Sequence, residues 1–140
     1  IDWTDTLSTA KKGWVVDFTT EAGERVIESP LVRGEYVLFN TVTPTQSLCQ
    51  SGGTSWTMAL RFDGTTPTRP VFDLNNDGRV DVNDTIVGGV RYGDAMILNS
   101  NILGDNLYRQ ASDGEIDQTK VNLGGGKALG RSGWQEIYEE

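Results

Sequence analysis

The feature that most constrains the fold of this chain is a strict alternation of side chains between residues 55 and 62. Large apolar residues share one face of this segment: Trp56, Met58, Leu60 and Phe62. Small or polar residues share the other face: Ser55, Thr57, Ala59 and Arg61. A period of two residues is that of a β-strand, in which successive side chains point to opposite faces of a sheet. The segment is therefore predicted to be a strand.

Short segments of this kind, separated by turn residues, run through the rest of the chain. Further strands are predicted at residues 14–18, 25–27, 35–42, 85–87, 96–98, 107–109, 115–117, 121–123 and 135–137, and Leu31–Val32 leads into a turn. Seventeen glycines supply the turns, and no stretch keeps a helical period. The pattern predicts a single all-β unit over residues 1–140, of the sandwich, barrel or propeller type. No internal repeat selects among these three.

The composition excludes several function classes. Twenty acidic and twelve basic residues give a formal charge of −8, which disfavours nucleic acid as a partner and suits a divalent cation. Histidine is absent, so the usual general base near neutral pH and the commonest zinc ligand are missing. We therefore expect no enzymatic activity. No run of 18 apolar residues occurs, so we expect no membrane span.

The segment from Asp73 to Asp84, DLNNDGRVDVND, has the spacing of a calcium-binding loop. Calcium takes roughly six to eight oxygen ligands, and alternate oxygen-bearing side chains let a chain curl around one ion. The predicted ligands are the side chains of Asp73, Asn75, Asp77 and Asp81 and the carbonyl of Arg79. Gly78 permits the sharp turn that directs this carbonyl towards the ion. We expect this Ca²⁺ to hold structure and to perform no chemistry.

The end of the loop and its flanks predict a structural rather than a switching ion. Val80 is the predicted apolar anchor to the core, and Asp84 is either an extra ligand or an acceptor beside the ligands. Pro70 before the loop and Gly88-Gly89 after it disfavour helices. Without flanking helices, calcium cannot swing a helix pair open. The alternative, a surface turn without an ion, leaves four carboxylates within a short loop to repel one another.

A calcium-dependent docking module of a secreted protein is the alternative function. Such a module needs paired loops, each followed by a helix. The only second candidate, Asp113–Asp117, copies just the middle of a calcium loop, because Arg109 and Ala111 stand at its earlier ligand positions. We predict an ordinary turn there, and neither a second ion nor the carboxylate pair of a glycoside hydrolase.

Aromatic residues and one cysteine complete the candidates. Trp14, Trp56 and Trp134 are interpreted as core residues rather than as a ligand-stacking surface. Cys49 is the only cysteine and cannot form an internal disulfide. It is either half of a disulfide with a partner outside this segment or a buried free thiol, and the sequence leaves both readings open.

Several motifs in order carry a resemblance to a known family. They are Gly13-Trp14, Gly23 to Val26 with Ser29-Pro30, Phe39-Asn40-Thr41, Pro44, Cys49 with Gly52-Gly53 and Ser55-Trp56, Pro70 to Gly78, and Gly130 to Ile137. Together they resemble the C-terminal region of the PilC/PilY family, calcium-dependent type IV pilus biogenesis factors and tip-associated adhesins. The similarity extends over essentially the whole chain.

This resemblance implies a fold, a site and a setting. The fold would be the C-terminal part of a modified β-propeller with an EF-hand-like calcium loop, and the matching ligands are the five residues predicted above. The module would be extracellular or at the cell surface, at the pilus tip or the outer membrane, or in the periplasm in transit. It would support pilus assembly, adhesion and twitching motility. Its partners would be minor pilins or other tip subunits, the remainder of its parent chain, and a host-surface receptor. At roughly 40–45 residues per blade, 140 residues are too few to close a propeller, so we expect a piece of a longer protein.

Overall fold

A computed structural model of the chain describes residues 13–19, 21–45 and 52–124. Within these ranges the structure is all-β, as predicted, and its sheets are antiparallel, with no helix and no closed barrel. The strands are β1 (Arg25–Val26), β2 (Leu31–Arg33), β3 (Tyr36–Pro44), β4 (Gly53–Arg61), β5 (Gly89–Tyr92), β6 (Ile97–Leu103), β7 (Asn106–Ala111) and β8 (Ile116–Lys120). The described residues contain no helix of the length and hydropathy that crossing a bilayer requires.

The strands form two sheets. The first has the order β1-β3-β4-β5, and β2 also pairs with β3. Its centre is the long β3–β4 ladder, which runs in register from Tyr36 opposite Arg61 to Pro44 opposite Gly53. The second sheet has the order β6-β7-β8. An isolated bridge between Phe72 and Val121 joins the start of the 73–84 loop to the end of β8.

Most of the strand predictions within the described residues are confirmed, and three are wrong. No strand forms at 14–18, because Trp14 packs on a turn instead: its indole N–H donates to the Phe62 carbonyl at 2.9 Å. No strand forms at 85–87 either, and the pairing begins at Gly89. Residues 121–123 contribute the single Phe72–Val121 bridge rather than a strand. The strand predicted at 135–137, Trp134 and Cys49 all lie outside the described residues.

One hydrophobic cluster holds the two sheets together. Its buried members come from both sheets and from the segments that connect them: Tyr36, Leu38, Ala59, Val71, Phe72, Leu107, Val121 and Leu123. Leu38 stands opposite Ala59 in the first sheet, and Leu107 comes from the second. Burying such side chains contributes roughly 1.5–3 kcal/mol for each large residue. The fold therefore depends on contact between the sheets.

The alternation in β4 is confirmed, but the face that it buries most deeply is the small polar one. Ser55, Thr57 and Ala59 are at most 1% exposed. Trp56 lies on the opposite face and is half-buried, so the prediction that it is a core residue is only partly confirmed. The core prediction for Trp14 is wrong, because this side chain is 36% exposed.

A buried arginine explains why polar side chains lie between the sheets. Arg109 of β7 is 4% exposed, and its Nη1 donates to the Thr57 hydroxyl of β4 at 3.0 Å. Its Nε donates to Asp117 Oδ2 at 2.9 Å and its Nη2 to the Thr119 hydroxyl at 2.6 Å. The Thr57 hydroxyl in turn donates to Asn40 at 2.7 Å. Because a buried guanidinium is tolerated only when it is paired and hydrogen-bonded, these polar partners are required between the sheets.

The Arg109 network leads to a prediction about stability. We expect Arg109→Lys to lower the free energy of unfolding by about 2–3 kcal/mol, because an ammonium keeps the charge but cannot reach acceptors on both sheets. Urea denaturation at 25 °C measures the change. Arg91→Lys is the matched control, because Arg91 is exposed and its ion pair with Glu21 is long, at 3.9 Å. This control should change the free energy of unfolding by less than about 0.5 kcal/mol. Equal losses in both variants would contradict the role given to Arg109.

Candidate metal centre

The 73–84 loop begins at the seam between the two sheets. Phe72 is fully buried in the core, and the Asp73 N–H donates to the Lys120 carbonyl of β8 at 3.0 Å. Leu74 packs against the hydrophobic cluster. Val80, the predicted anchor, is half-buried and lines a surface cleft instead, which corrects that prediction. The sequence signal for Leu74 was an apolar residue inside a polar loop, two positions after Phe72.

Asp73 has the most unusual environment of the predicted ligands. The residue is 7% exposed, and its Oδ2 accepts the Gly78 N–H at 2.9 Å. Its Oδ1 is buried and has no hydrogen-bond partner among the described residues. A buried polar atom without a partner costs free energy, and more so when it carries charge. A cation bound at Oδ1 would remove that cost, so this oxygen fits a metal ligand.

The next predicted ligands each form a local turn with one oxygen. Asn75 Oδ1 accepts the Asp77 N–H at 3.0 Å, and Asp77 Oδ1 accepts the Arg79 N–H at 2.9 Å. Asp81 Oδ1 accepts the Asn83 N–H at 2.8 Å. These are Asx-turns, in which the side chain binds the backbone two residues on. Because a carboxylate has two oxygens, Asp81 keeps a second one that can face an ion, whereas the second oxygen of Asp77 accepts from the Asn75 amide.

The backbone curls because two residues take left-handed conformations. Gly78 has φ of 84°, which glycine adopts without a steric cost, and Asn76 has φ of 58°. The turn brings the Asn75 and Asp77 side chains together, with the Asn75 amide donating to Asp77 Oδ2 at 3.3 Å. The Arg79 carbonyl follows directly after this turn.

Asp84 closes the loop through the backbone. Its Oδ1 accepts the Leu74 N–H at 2.8 Å and the Asn75 N–H at 3.4 Å, while its Oδ2 accepts the Asp81 N–H at 2.9 Å. These donors, with that of Asp81 contributing most, hold the pKa of the Asp84 carboxyl below its usual value. Of its two predicted roles, acceptor and ligand, the structure shows the acceptor.

All the atoms of the loop that are predicted to bind a metal are oxygens. Oxygen ligands suit calcium better than they suit zinc or iron. No three His, Cys, Asp or Glu side chains in the described part of the chain form a ready-made metal cluster. The ligand set therefore stays a prediction, supported by the unpartnered oxygen of Asp73. The turn predicted at Asp113–Asp117 is present: Asp113 accepts the Glu115 N–H at 3.0 Å, and Asp117 is paired with Arg109.

Comparison with known proteins shows that the chain is similar over most of its length to short regions of type IV pilus biogenesis factors. It is 29% identical over 139 residues to the type IV pilus biogenesis factor PilY1 of Pseudomonas aeruginosa strain UCBPP-PA14. That match covers 94% of this chain and 12% of the relative. A PilY1 homolog of Xylella fastidiosa strain Temecula1 is 31% identical over 134 residues, which are 89% of this chain and 11% of the relative. PilY1 of P. aeruginosa strain PAK is 38% identical over 78 residues, covering 53% of this chain and 7% of the relative. No protein-family model and no solved structure matches.

Asp84 provides a test of how the loop is held in the absence of an ion. With a chelator present, we expect Asp84→Ala to speed hydrogen exchange of the Leu74, Asn75 and Asp81 amides by about tenfold or more, because each loses its carboxylate acceptor. Asp77→Ala is the control, since its carboxylate accepts from Arg79 and Asn75 instead. Amide exchange followed by NMR measures the effect. Unchanged exchange of the three amides in Asp84→Ala would show that Asp84 does not close the loop.

Proposed function

This chain is related over most of its length to the PilY1 proteins, and from that premise we propose that it is a calcium-stabilised structural and adhesion module of a type IV pilus biogenesis factor. The observation that carries the calcium part is the buried, unpartnered Oδ1 of Asp73 within a loop of alternating oxygen donors. The observation that carries the pilus part is the similarity to PilY1.

Calcium would be held by the side chains of Asp73, Asn75, Asp77 and Asp81 and by the Arg79 carbonyl. When bound, the ion supplies positive charge that offsets the repulsion among the loop carboxylates. Asp84 is held by three backbone N–H groups, so it keeps the two ends of the loop together and leaves ligation to the other carboxylates.

The position of the loop favours a structural role for the ion. The backbone of Asp73 binds β8, the neighbouring Phe72 lies in the core, and Leu74 packs on that core. Fixing Asp73 therefore fixes a residue that is bonded to the second sheet and whose two neighbours pack in the core between the sheets. Calcium that binds only the folded state adds RT ln(1 + [L]/Kd), about 1.4 kcal/mol at a tenfold excess over Kd. Extracellular modules often bind calcium with Kd of about 10⁻⁴–10⁻³ M, so the ion would act outside the cell.

The remaining parts of the proposal follow from the similarity to pilus biogenesis factors. The module would contribute to pilus assembly, surface adhesion and twitching motility, in the periplasm, at the outer membrane or at the pilus tip. Its partners would be minor pilins or other tip subunits, the remainder of its own parent chain, and a host-surface receptor. The two sheets would be part of a larger β-propeller. We propose no catalytic role, since nothing in the loop points to acid–base chemistry.

Titration calorimetry tests calcium binding directly. We expect one calcium per chain, and a Kd raised by about tenfold or more in Asp77→Ala, because fewer charged ligands lower affinity. Asp113→Ala is the matched control: Asp113 makes the same turn with the backbone N–H two residues on, but lies outside the loop. Calcium affinity that is the same in both variants would place the ion elsewhere.

Thermal unfolding tests whether the ion stabilises the fold. We expect removal of calcium with a chelator to lower Tm by several degrees without abolishing the folded state, because the core and the Arg109 network do not involve the ion. Magnesium should restore little of this loss, since it requires tighter octahedral geometry. A chelator that leaves Tm unchanged while abolishing partner binding would show that calcium acts at an interface and not in the fold.

A further inference from the structure

A groove beside the calcium loop has the composition of a binding site. A cleft of about 320 Å³ lies between the loop and the end of β8, which is within the range of ligand-binding pockets. Its walls include Gly78, Arg79, Val80, Asp105, Lys120 and Asn122. A smaller hollow of about 50 Å³ shares Asp105 and Asn122 with the cleft and is also lined by Arg33. The two hollows therefore adjoin and form one elongated groove.

Three basic side chains line this groove without an acidic partner. Arg79, Lys120 and Arg33 make no ion pair and no side-chain hydrogen bond with any described residue. By contrast, four other arginines are each paired with a carboxylate: Arg61, Arg69, Arg91 and Arg109. The wall also carries one carboxylate, that of Asp105, so the three cations leave the groove with a net positive charge in a chain whose net charge is −8. Such a reversal of sign selects an anionic ligand by electrostatic complementarity.

We propose that this groove binds an extended acidic peptide segment of a partner protein through its side-chain carboxylates. The guanidinium groups of Arg79 and Arg33 match carboxylates bidentately, and Lys120 adds a point charge. Asp105 can accept a peptide N–H, and Val80 offers an apolar contact for an aliphatic side chain. The wall residues include no aromatic side chain on which a sugar ring could stack, so the groove fits a peptide better than an acidic glycan.

Binding in the groove is coupled to calcium, and this step rests on the proposed function of the loop. Gly78 and Arg79 belong to both the loop and the groove wall. The loop also carries the carboxylates of Asp73, Asp77, Asp81 and Asp84. Without an ion they repel an acidic peptide over about the Debye length, roughly 8–10 Å. Calcium lowers this repulsion, so calcium and peptide each strengthen the binding of the other by the same factor.

Fluorescence anisotropy tests the proposal on the full chain. The probe is a dye-labelled, end-blocked decapeptide in which glutamate alternates with glycine, and its control contains glutamine instead. In millimolar calcium we expect the glutamate peptide to bind, and the double variant Arg79→Gln/Lys120→Gln to weaken binding by about tenfold or more. Arg25→Gln/Arg91→Gln is the matched control, because it removes the same charge from the first sheet, away from the groove. It should leave affinity within about twofold, with urea unfolding used to confirm that all variants fold.

Three results would overturn the groove as a peptide site. These are equal loss of affinity in both double variants, equal binding of the glutamine peptide, or displacement of the peptide by an oligomer of acidic sugars at lower concentration. The calcium coupling has its own test. If a chelator leaves peptide affinity unchanged while calorimetry shows that calcium binds, the coupling is wrong, but the groove is still a peptide site. If calorimetry shows no calcium binding while the groove variants lose peptide binding, the proposed role of calcium is wrong, but the groove is again supported as a peptide site.

Discussion

The contact on which the rest of the structure depends is the guanidinium of Arg109 between the two sheets. A charge that is 4% exposed must be matched by polar groups on every side. Asp117 and Thr119 of β8 accept hydrogen bonds from the guanidinium within the second sheet, and Thr57 of β4 accepts one from the facing sheet. A shift of β4 by one residue would replace Thr57 at this point with a large apolar side chain. The arginine therefore fixes the register of one sheet against the other, in addition to any stability that it contributes.

The position of the 73–84 loop depends on this contact between the two sheets. Asp73 binds the carbonyl of Lys120, the last residue of β8, and Asp117 of the same strand pairs with Arg109. Phe72 reaches the same edge through its bridge with Val121. The first predicted calcium ligand is thus attached to the strand that the buried arginine holds. Order at the loop and order between the sheets are physically linked, so an ion bound in the loop would stabilise both.

Local patterns made the strands and the loop predictable, whereas contacts between distant segments were not predictable. The alternation at 55–62 identified β4, and the DLNNDG spacing identified the turn at Gly78. The alternation could not show that its polar face would be buried, because that depends on Arg109, which is 52 residues away from Thr57. Trp14 was misassigned for the same reason: it covers the distant turn at Phe62–Gly64. Position in the loop favours Val80 as the anchor, but Leu74 packs on the core because it follows the buried Phe72.

The distribution of charge gives the loop region its particular character. Three acidic side chains elsewhere in the described residues are paired with arginines: Asp117 with Arg109, Glu35 with Arg61 and Arg69, and Glu21 with Arg91. In the loop, the carboxylates rely on backbone N–H groups, and Asp73 Oδ1 lacks even that partner. Backbone donors stabilise a carboxylate without neutralising the net charge, so repulsion within the loop remains. Meanwhile Arg79 of the same loop lines the groove, and its side chain forms no ion pair with any described carboxylate. A divalent cation at Asp73 Oδ1 would satisfy the loop without consuming this arginine, and would thereby leave the groove basic for the proposed partner.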